Sequence, residues 1–186
     1  LVFVYSQLLL NHKKNLTLCC QKKESNGHSA ICDLGWYLTT IAVNHKMMAA
    51  DRQLTYHGKT ILTLKTKVYE IEPHNAKLLF GAKKAFIGFA GSTMGVGAAL
   101  LWLSDLTRKV PRMRDTEMVV LTDNKEIYHG MQLDDWLQIK DKQFAIGSGC
   151  TYAIAAMAAG ADPYKAVEIA SKLDILTGQG VTKHVM

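Results

Sequence analysis

The sequence predicts an α+β protein in which two antiparallel sheets pack together with helices on their outer faces. Two observations carry this. Strand-like runs are joined by hairpin-sized breaks, which argues against a purely parallel sheet: residues 39–43 and 46–50 flank Asn44-His45, and 117–121 and 126–129 flank Thr122-Asp123-Asn124-Lys125. A strand–Gly–helix unit also occurs twice, at 85–106 and 143–159.

Taken in order, the first two strands are 39–43 and 46–50. Thr66-Lys67-Val68-Tyr69-Glu70-Ile71 alternates as a half-buried strand, with Lys65, Lys67 and Tyr69 on one face. Ala85-Phe86-Ile87-Gly88-Phe89-Ala90 reads as a buried strand running into Gly91, followed by an Ala- and Leu-rich helix at 93–106 that ends before Pro111. After the 117–129 hairpin, Gln143-Phe144-Ala145-Ile146 enters Gly147-Ser148-Gly149 and a small-residue helix at 152–159. Asp162-Pro163 starts another helix, with Asp as the cap, Pro in the first turn and an apolar stripe of Ala166, Val167, Ile169, Ala170 and Leu173. Residues 181–185 form a last strand.

With 186 residues the chain suits one domain with a sizeable core. It is 48% hydrophobic and 20% charged, as globular proteins are. The formal charge of +6 comes without a basic helix or aromatic–basic interleaving, so it reads as solvated surface and not as a nucleic-acid interface. No apolar run approaches the ~20 residues that span a bilayer, and a cytoplasmic protein is expected. Cys19, Cys20, Cys32 and Cys150 show no Cys-x-x-Cys spacing, and adjacent cysteines are an awkward ligand pair. Neither a metal nor a cofactor is expected. Gly88, Gly91, Gly95 and Gly97 lack the Gly-Lys-Ser/Thr that a phosphate loop needs.

Residues 1–38 hold neither helical nor strand periodicity for long. They read as a propeptide or as an untranslated upstream extension, with Leu38 as the initiator, and residues 39–186 as the functional domain. The boundary matters because a threonine hydroxyl becomes a nucleophile when a base stands beside it, and a chain's own terminal amine can be that base. Lys67 alone reads as a solvated charge, and Gly91 alone as a helix-entry turn.

Six segments occur together and in order: Thr39-Thr40-Ile41-Ala42-Val43, Ala49-Ala50-Asp51, Thr66 to Ile71, Phe89-Ala90-Gly91-Ser92, Ala145-Ile146-Gly147-Ser148-Gly149 and Asp174-Ile175-Leu176-Thr177-Gly178. In this the chain resembles the proteasome β-subunit family, in the manner of the bacterial HslV peptidase and its small phage-encoded relatives. The resemblance runs from Thr39 to about Val185. It implies a four-layer αββα sandwich and a threonine peptidase of polypeptide substrates, assembled as a homo-oligomeric ring that works with an ATPase unfoldase. Carried over residue by residue, Thr39 matches the nucleophile, Lys67 the lysine that polarises it and Asp51 the supporting acid. Gly91 matches the oxyanion donor. Ser148, Asp174 and Thr177 match the groups that hold the terminal amine, with threonine standing where the family has serine. Leu54, Phe89 and Thr93 fall near positions that shape the specificity pocket and hint at apolar or aromatic side chains. The residue before Thr39 is leucine where self-processing precursors carry glycine, which favours an initiator at Leu38 over autocatalytic cleavage.

Overall fold

The computed structural model describes residues 39–56, 59–93 and 95–186. The expectations for residues 1–38, including those for Cys19, Cys20 and Cys32, lie outside the described residues.

One sheet has the strand order β10-β1-β2-β11, formed by β1 (Thr40–Asn44), β2 (Met47–Asp51), β10 (Gln143–Gly147) and β11 (Val181–Val185). The other runs β5-β6-β7-β8-β9, formed by β5 (Val68–Ile71), β6 (Ala85–Gly91), β7 (Thr116–Thr122), β8 (Ile127–Gln132) and β9 (Asp135–Ile139). Both are antiparallel. A separate two-stranded ribbon pairs β3 (Gln53–Tyr56) with β4 (Lys59–Thr63).

Side-chain alternation sorts the strands into layers. Ile41, Val43, Met48, Ala50, Phe86, Ala90, Val119, Leu121 and Ile146 make one apolar cluster between the sheets. Ala42, Ala49 and Ala145 point the other way, onto α3 (Cys150–Ala158) and α4 (Pro163–Leu173), and meet Ala153, Ala156, Ala166 and Ala170 there. Alanine on both sides lets the helices lie close to the sheet. On the far side, Ile87, Phe89, Met118 and Val120 pack under α1 (Pro73–Phe80) and α2 (Val96–Ser104). The layers are therefore helix, sheet, sheet, helix, as expected.

This alternation also fixes the register that the site needs. Burying Ile41, Val43 and Met48 stabilises by about 1.5–3 kcal/mol each. A one-residue slip of β1 would exchange the first two for Ala42 and turn them outward. The observed register sets Thr40 against Gly147 and Ile41 against Ala50. The β1–β2 turn is closed by Asn44, whose Oδ1 accepts from the N–H groups of Lys46 and Met47, both at 2.9 Å. At α4, Asp162 caps the first turn by accepting from Lys165 N at 2.7 Å, and Pro163 follows it as predicted.

Several elements differ from the sequence reading. The strand expected at 66–71 begins only at Val68, so Lys65 and Lys67 do not share a strand face: Lys65 is exposed and Lys67 is buried. The cause is the Thr66 hydroxyl, which lies 3.0 Å from both the N–H and the C=O of Val68 and turns the chain there. The β3–β4 ribbon, α1 and β9 were not anticipated. Among the described residues no helix is long and apolar enough to cross a membrane.

Candidate active site

Thr39 lies immediately before β1 and is 2% exposed. Its hydroxyl accepts a hydrogen bond from Lys67 Nζ, which also donates to Asp51 Oδ1 at 2.8 Å. The two charged side chains are 5% and 0% exposed, a buried ion pair.

The turn at Thr66 is what aims Lys67 inward, and β2 ends at Asp51 to meet it. Asp51 is held from several sides. Its Oδ1 accepts from Thr40 N at 2.9 Å, and its Oδ2 accepts from Gln53 N at 3.0 Å and Gly178 N at 3.2 Å. Burial pushes the Lys67 ammonium below the ordinary lysine value, while the charge and hydrogen bond of Asp51 pull it back up. Burial likewise pushes the Asp51 carboxyl up, opposed by Lys67 and by the N–H donors of Thr40 and Gly178. A lysine held in this way presents a partly desolvated cation to the Thr39 hydroxyl.

A second network surrounds the Thr39 backbone. Its carbonyl accepts from Ser148 N at 2.8 Å, with Ser148 Oγ 3.5 Å away. Asp174, just after α4, accepts at Oδ2 from Ser148 Oγ and from Thr177 Oγ1, each at 2.7 Å. A hydroxyl has one proton. Thr177 gives its proton to Asp174, so the 2.6 Å contact between Thr40 Oγ1 and Thr177 Oγ1 is donated by Thr40. Thr40 in turn accepts from Gly149 N at 3.0 Å. Burial raises the Asp174 pKa, but the donors Ser148, Thr177 and Leu176 N more than offset it, leaving the carboxyl below its usual value.

Gly147 makes the close approach of these two strands feasible. Its φ of +88° suits glycine, and a Cβ there would strike the Thr39 carbonyl oxygen. Gly91 is a similar case at the end of β6. With φ +94°, its place for a Cβ is filled by the Asp115 carbonyl oxygen. Ser92 N–H is spent on that same oxygen at 2.7 Å, and Thr116 Oγ1 donates to Ser92 O at 2.8 Å. The corner at Gly91 is thus rigid.

The structure brings Thr39, Lys67, Asp51, Ser148, Asp174 and Thr177 into one connected set. The residues expected to shape a specificity pocket are spread over separate elements. Leu54 in β3 and Phe89 in β6 are buried, Phe89 with Tyr69 edge-on at 6.0 Å, and Thr93 is exposed before α2. Two members of the network were not singled out from sequence. Thr40 enters the sequence reading only as part of the segment that follows Thr39. Gln53 is 5% exposed, and its Nε2 donates to Ile175 O at 3.0 Å and Thr55 Oγ1 at 3.2 Å, tying β3 to the loop that carries Asp174 and Thr177. A glutamine two residues beyond the supporting acid was the available signal for the second.

Neither a protein-family model nor a curated protein matches the chain. Solved structures do. Thiobacillus denitrificans BPH aligns with a TM-score of 0.59 at 14% identity, over 80% of this chain and 96% of its own. Eukaryotic HslV from Trypanosoma brucei aligns with a TM-score of 0.55 at 23% identity, over 79% of this chain and 98% of its own. BPH in complex with epoxomicin gives 0.53 at 15% identity, over 80% and 97%. At these identities the likeness establishes the fold, and the chain is an α+β protein of packed antiparallel sheets built as HslV is built.

Proposed function

We propose that this chain is a threonine-type endopeptidase that cleaves unfolded polypeptides with Thr39 as its N-terminal nucleophile. The observation that carries the reading is the Lys67 ammonium held between the Thr39 hydroxyl and the buried Asp51 carboxylate. A cation at that place favours the ionised form of the hydroxyl. In the reaction the Thr39 oxygen attacks the peptide carbonyl, and the Thr39 amine takes the hydroxyl proton, directly or through water. The Gly91 N–H stabilises the oxyanion, a type of contact worth about 3–4 kcal/mol. The C–N bond then breaks and the leaving amine departs with the proton, leaving an ester on Thr39. Water hydrolyses the ester, with the amine now acting as base. Ser148, Asp174 and Thr177 hold the amine in place. Leu54, Phe89 and Thr93 take an apolar or aromatic side chain of the substrate.

The amine exists only if Thr39 begins the mature chain. Residues 1–38 are accordingly a propeptide or an upstream extension absent from the active form. The active particle is a homo-oligomeric ring in the cytoplasm, fed by an ATPase unfoldase, and its chemistry needs no cofactor.

The test is turnover of a fluorogenic peptide. Thr39→Ala abolishes it, Thr40→Ser keeps it, and mass spectrometry of active particles finds Thr39 as the first residue. Epoxomicin, held by one of the structural neighbours, blocks it. Full activity in a particle retaining residues 1–38, or turnover of a small amide without any peptide cleavage, refutes the reading. The latter result would assign an amidase.

A further inference from the structure

Glu117 breaks a pattern that the rest of β7 obeys. Along this strand Val119 and Leu121 face the space between the sheets, whereas Met118 and Val120 face the helices. Period-two alternation puts Glu117 on the inter-sheet face, at the end of the row. Its side chain reaches across to the other sheet, where Oε2 accepts from Gly147 N at 3.3 Å. Gly147 is the residue at which a Cβ would strike the Thr39 carbonyl oxygen, and that Cβ position lies 3.4 Å from the Ala90 Cβ. Glu117 also pairs across the strands with Ala90, the neighbour of Gly91. A carboxylate therefore stands at the end of the inter-sheet row, bonded to the glycine that abuts the carbonyl of the proposed nucleophile.

Neither the ion pair nor the amine-holding network uses this group. The ion pairs among the described residues are Lys67–Asp51, Arg108–Asp105 and Lys165–Glu168, so Glu117 has no cationic partner among them. It is only half-buried, in a chain of net charge +6. One N–H leaves most of the lone-pair capacity of a carboxylate unused. Structural anchoring of Gly147 would need only a neutral acceptor. A charge without a counter-charge at this place is suited to a cation that arrives with the substrate.

We propose that Glu117 is a specificity-determining residue that receives a lysine or arginine side chain of the peptide substrate; the proposal rests on the peptidase reading. Phe89 packs on the helix side of the sheet and Ala90 on the inter-sheet side, and Glu117 pairs with Ala90 across the strands, so the basic side chain is received on the face of the sheet opposite Phe89.

The test compares two fluorogenic peptides that differ only in having lysine or glutamine beside a phenylalanine. The parent prefers the lysine peptide, and that preference narrows as salt is raised. Glu117→Gln keeps an oxygen for Gly147 N–H and removes only the charge. It lowers kcat/KM for the lysine peptide about tenfold and leaves the glutamine peptide unchanged, a size in keeping with the loss of a hydrogen bond to a charged group. Glu117→Lys reverses the preference toward a glutamate peptide. Equal losses on both peptides, no loss on either, or a shifted pH profile with unchanged preference would overturn the proposal. Should no peptide be turned over, the peptidase reading fails first. Binding of the fluorescein-labelled lysine peptide to the Thr39→Ala protein then decides for Glu117: weakened by Glu117→Gln it stands, unchanged it falls.

Discussion

Replacing Lys67 with methionine deletes the ammonium while keeping an unbranched side chain in its place. Asp51, at 0% exposure, then keeps its three backbone N–H donors from Thr40, Gln53 and Gly178 but loses its one counter-charge among the described residues. Breaking a buried pair from one side costs about 3–5 kcal/mol. The three remaining donors put the expected loss at the lower end, about 3 kcal/mol. Asp51→Asn strands Lys67 instead, and turns an amide toward either the Thr40 N–H or the Gln53 and Gly178 N–H groups. The double variant holds no buried charge, so it loses less than the sum of the two single changes, and the coupling is about 2 kcal/mol or more. Urea unfolding followed by circular dichroism at pH 7 measures all four corners of the cycle. Activity moves separately, since Lys67→Met lowers kcat by at least 10²-fold, of the order seen when one electrostatic donor is lost.

The pH dependence has a sign fixed by the same burial. Lys67 sits below 10.5 in the folded protein, so between its lowered value and 10.5 the unfolded chain binds more protons and stability rises with pH. Asp51 sits above 3.8, so between 3.8 and its raised value the folded protein binds more protons and stability falls as pH rises. The double variant lacks both slopes, and subtracting it from the parent isolates them. Additive single changes, a stability loss under about 1 kcal/mol, or a Lys67→Met protein within tenfold of the parent's activity would refute the buried-pair account.

Gly147→Ala forces a Cβ into the Thr39 carbonyl at φ +88°; it destabilises by about 2 kcal/mol or more and abolishes turnover, and a tolerated alanine would show that the two strands are less close than described. Thr40→Val orphans the Gly149 N–H and costs about 1–3 kcal/mol, whereas Thr40→Ser restores most of it, as read from unfolding midpoints. Ser148→Ala and Thr177→Val each remove a donor from Asp174. Asp174 is held below 3.8 in the folded state, so its contribution is present above 3.8 and is lost as pH falls through the lower value. Each substitution raises its pKa, a change that NMR titration of the side-chain carboxyl carbon detects directly.

The elements legible from sequence were those whose pattern coincides with one packing interface. In β1 and β7 strict alternation separates Ile41 and Val43 from Ala42, and Val119 and Leu121 from Met118 and Val120, because each face meets a different layer. β9 is an edge strand whose Trp136 and Ile139 are only partly buried and whose Leu137 is 66% exposed, so its sequence is weakly constrained to alternate. β3 and β4 pair only with each other, and no apolar period marks them. α1 is a different case. Pro73 in its first turn and Gly81 at φ +66° just after its end are both ordinary helix signals that the sequence displayed. The segment is short, and only Asn75, Ala76 and Phe80 are buried, so periodicity alone was too weak to reveal it.

The site was legible through the family resemblance and not through its residues taken singly. The resemblance implied Thr39 as nucleophile, Lys67 as its cation and Asp51 as the supporting acid, and the structure joins the three through Lys67. Lys67 nevertheless could not be told from Lys65 by pattern, because a strand running straight through 65–69 would have given both the same face. What separates them is one hydroxyl: Thr66 bends the chain, after which one lysine is buried against Asp51 and the other stays in water. Thr40 was hidden for the opposite reason. Its importance lies in the direction of a proton, Thr40 to Thr177 to Asp174, which exists only when residues 137 and 3 positions apart are brought within 2.7 Å. That chain makes the second threonine a constraint on the first. Because its hydroxyl and its N–H are committed to Thr177 and Asp51, Thr40 is fixed in position, and of the pair only Thr39 presents its hydroxyl to Lys67.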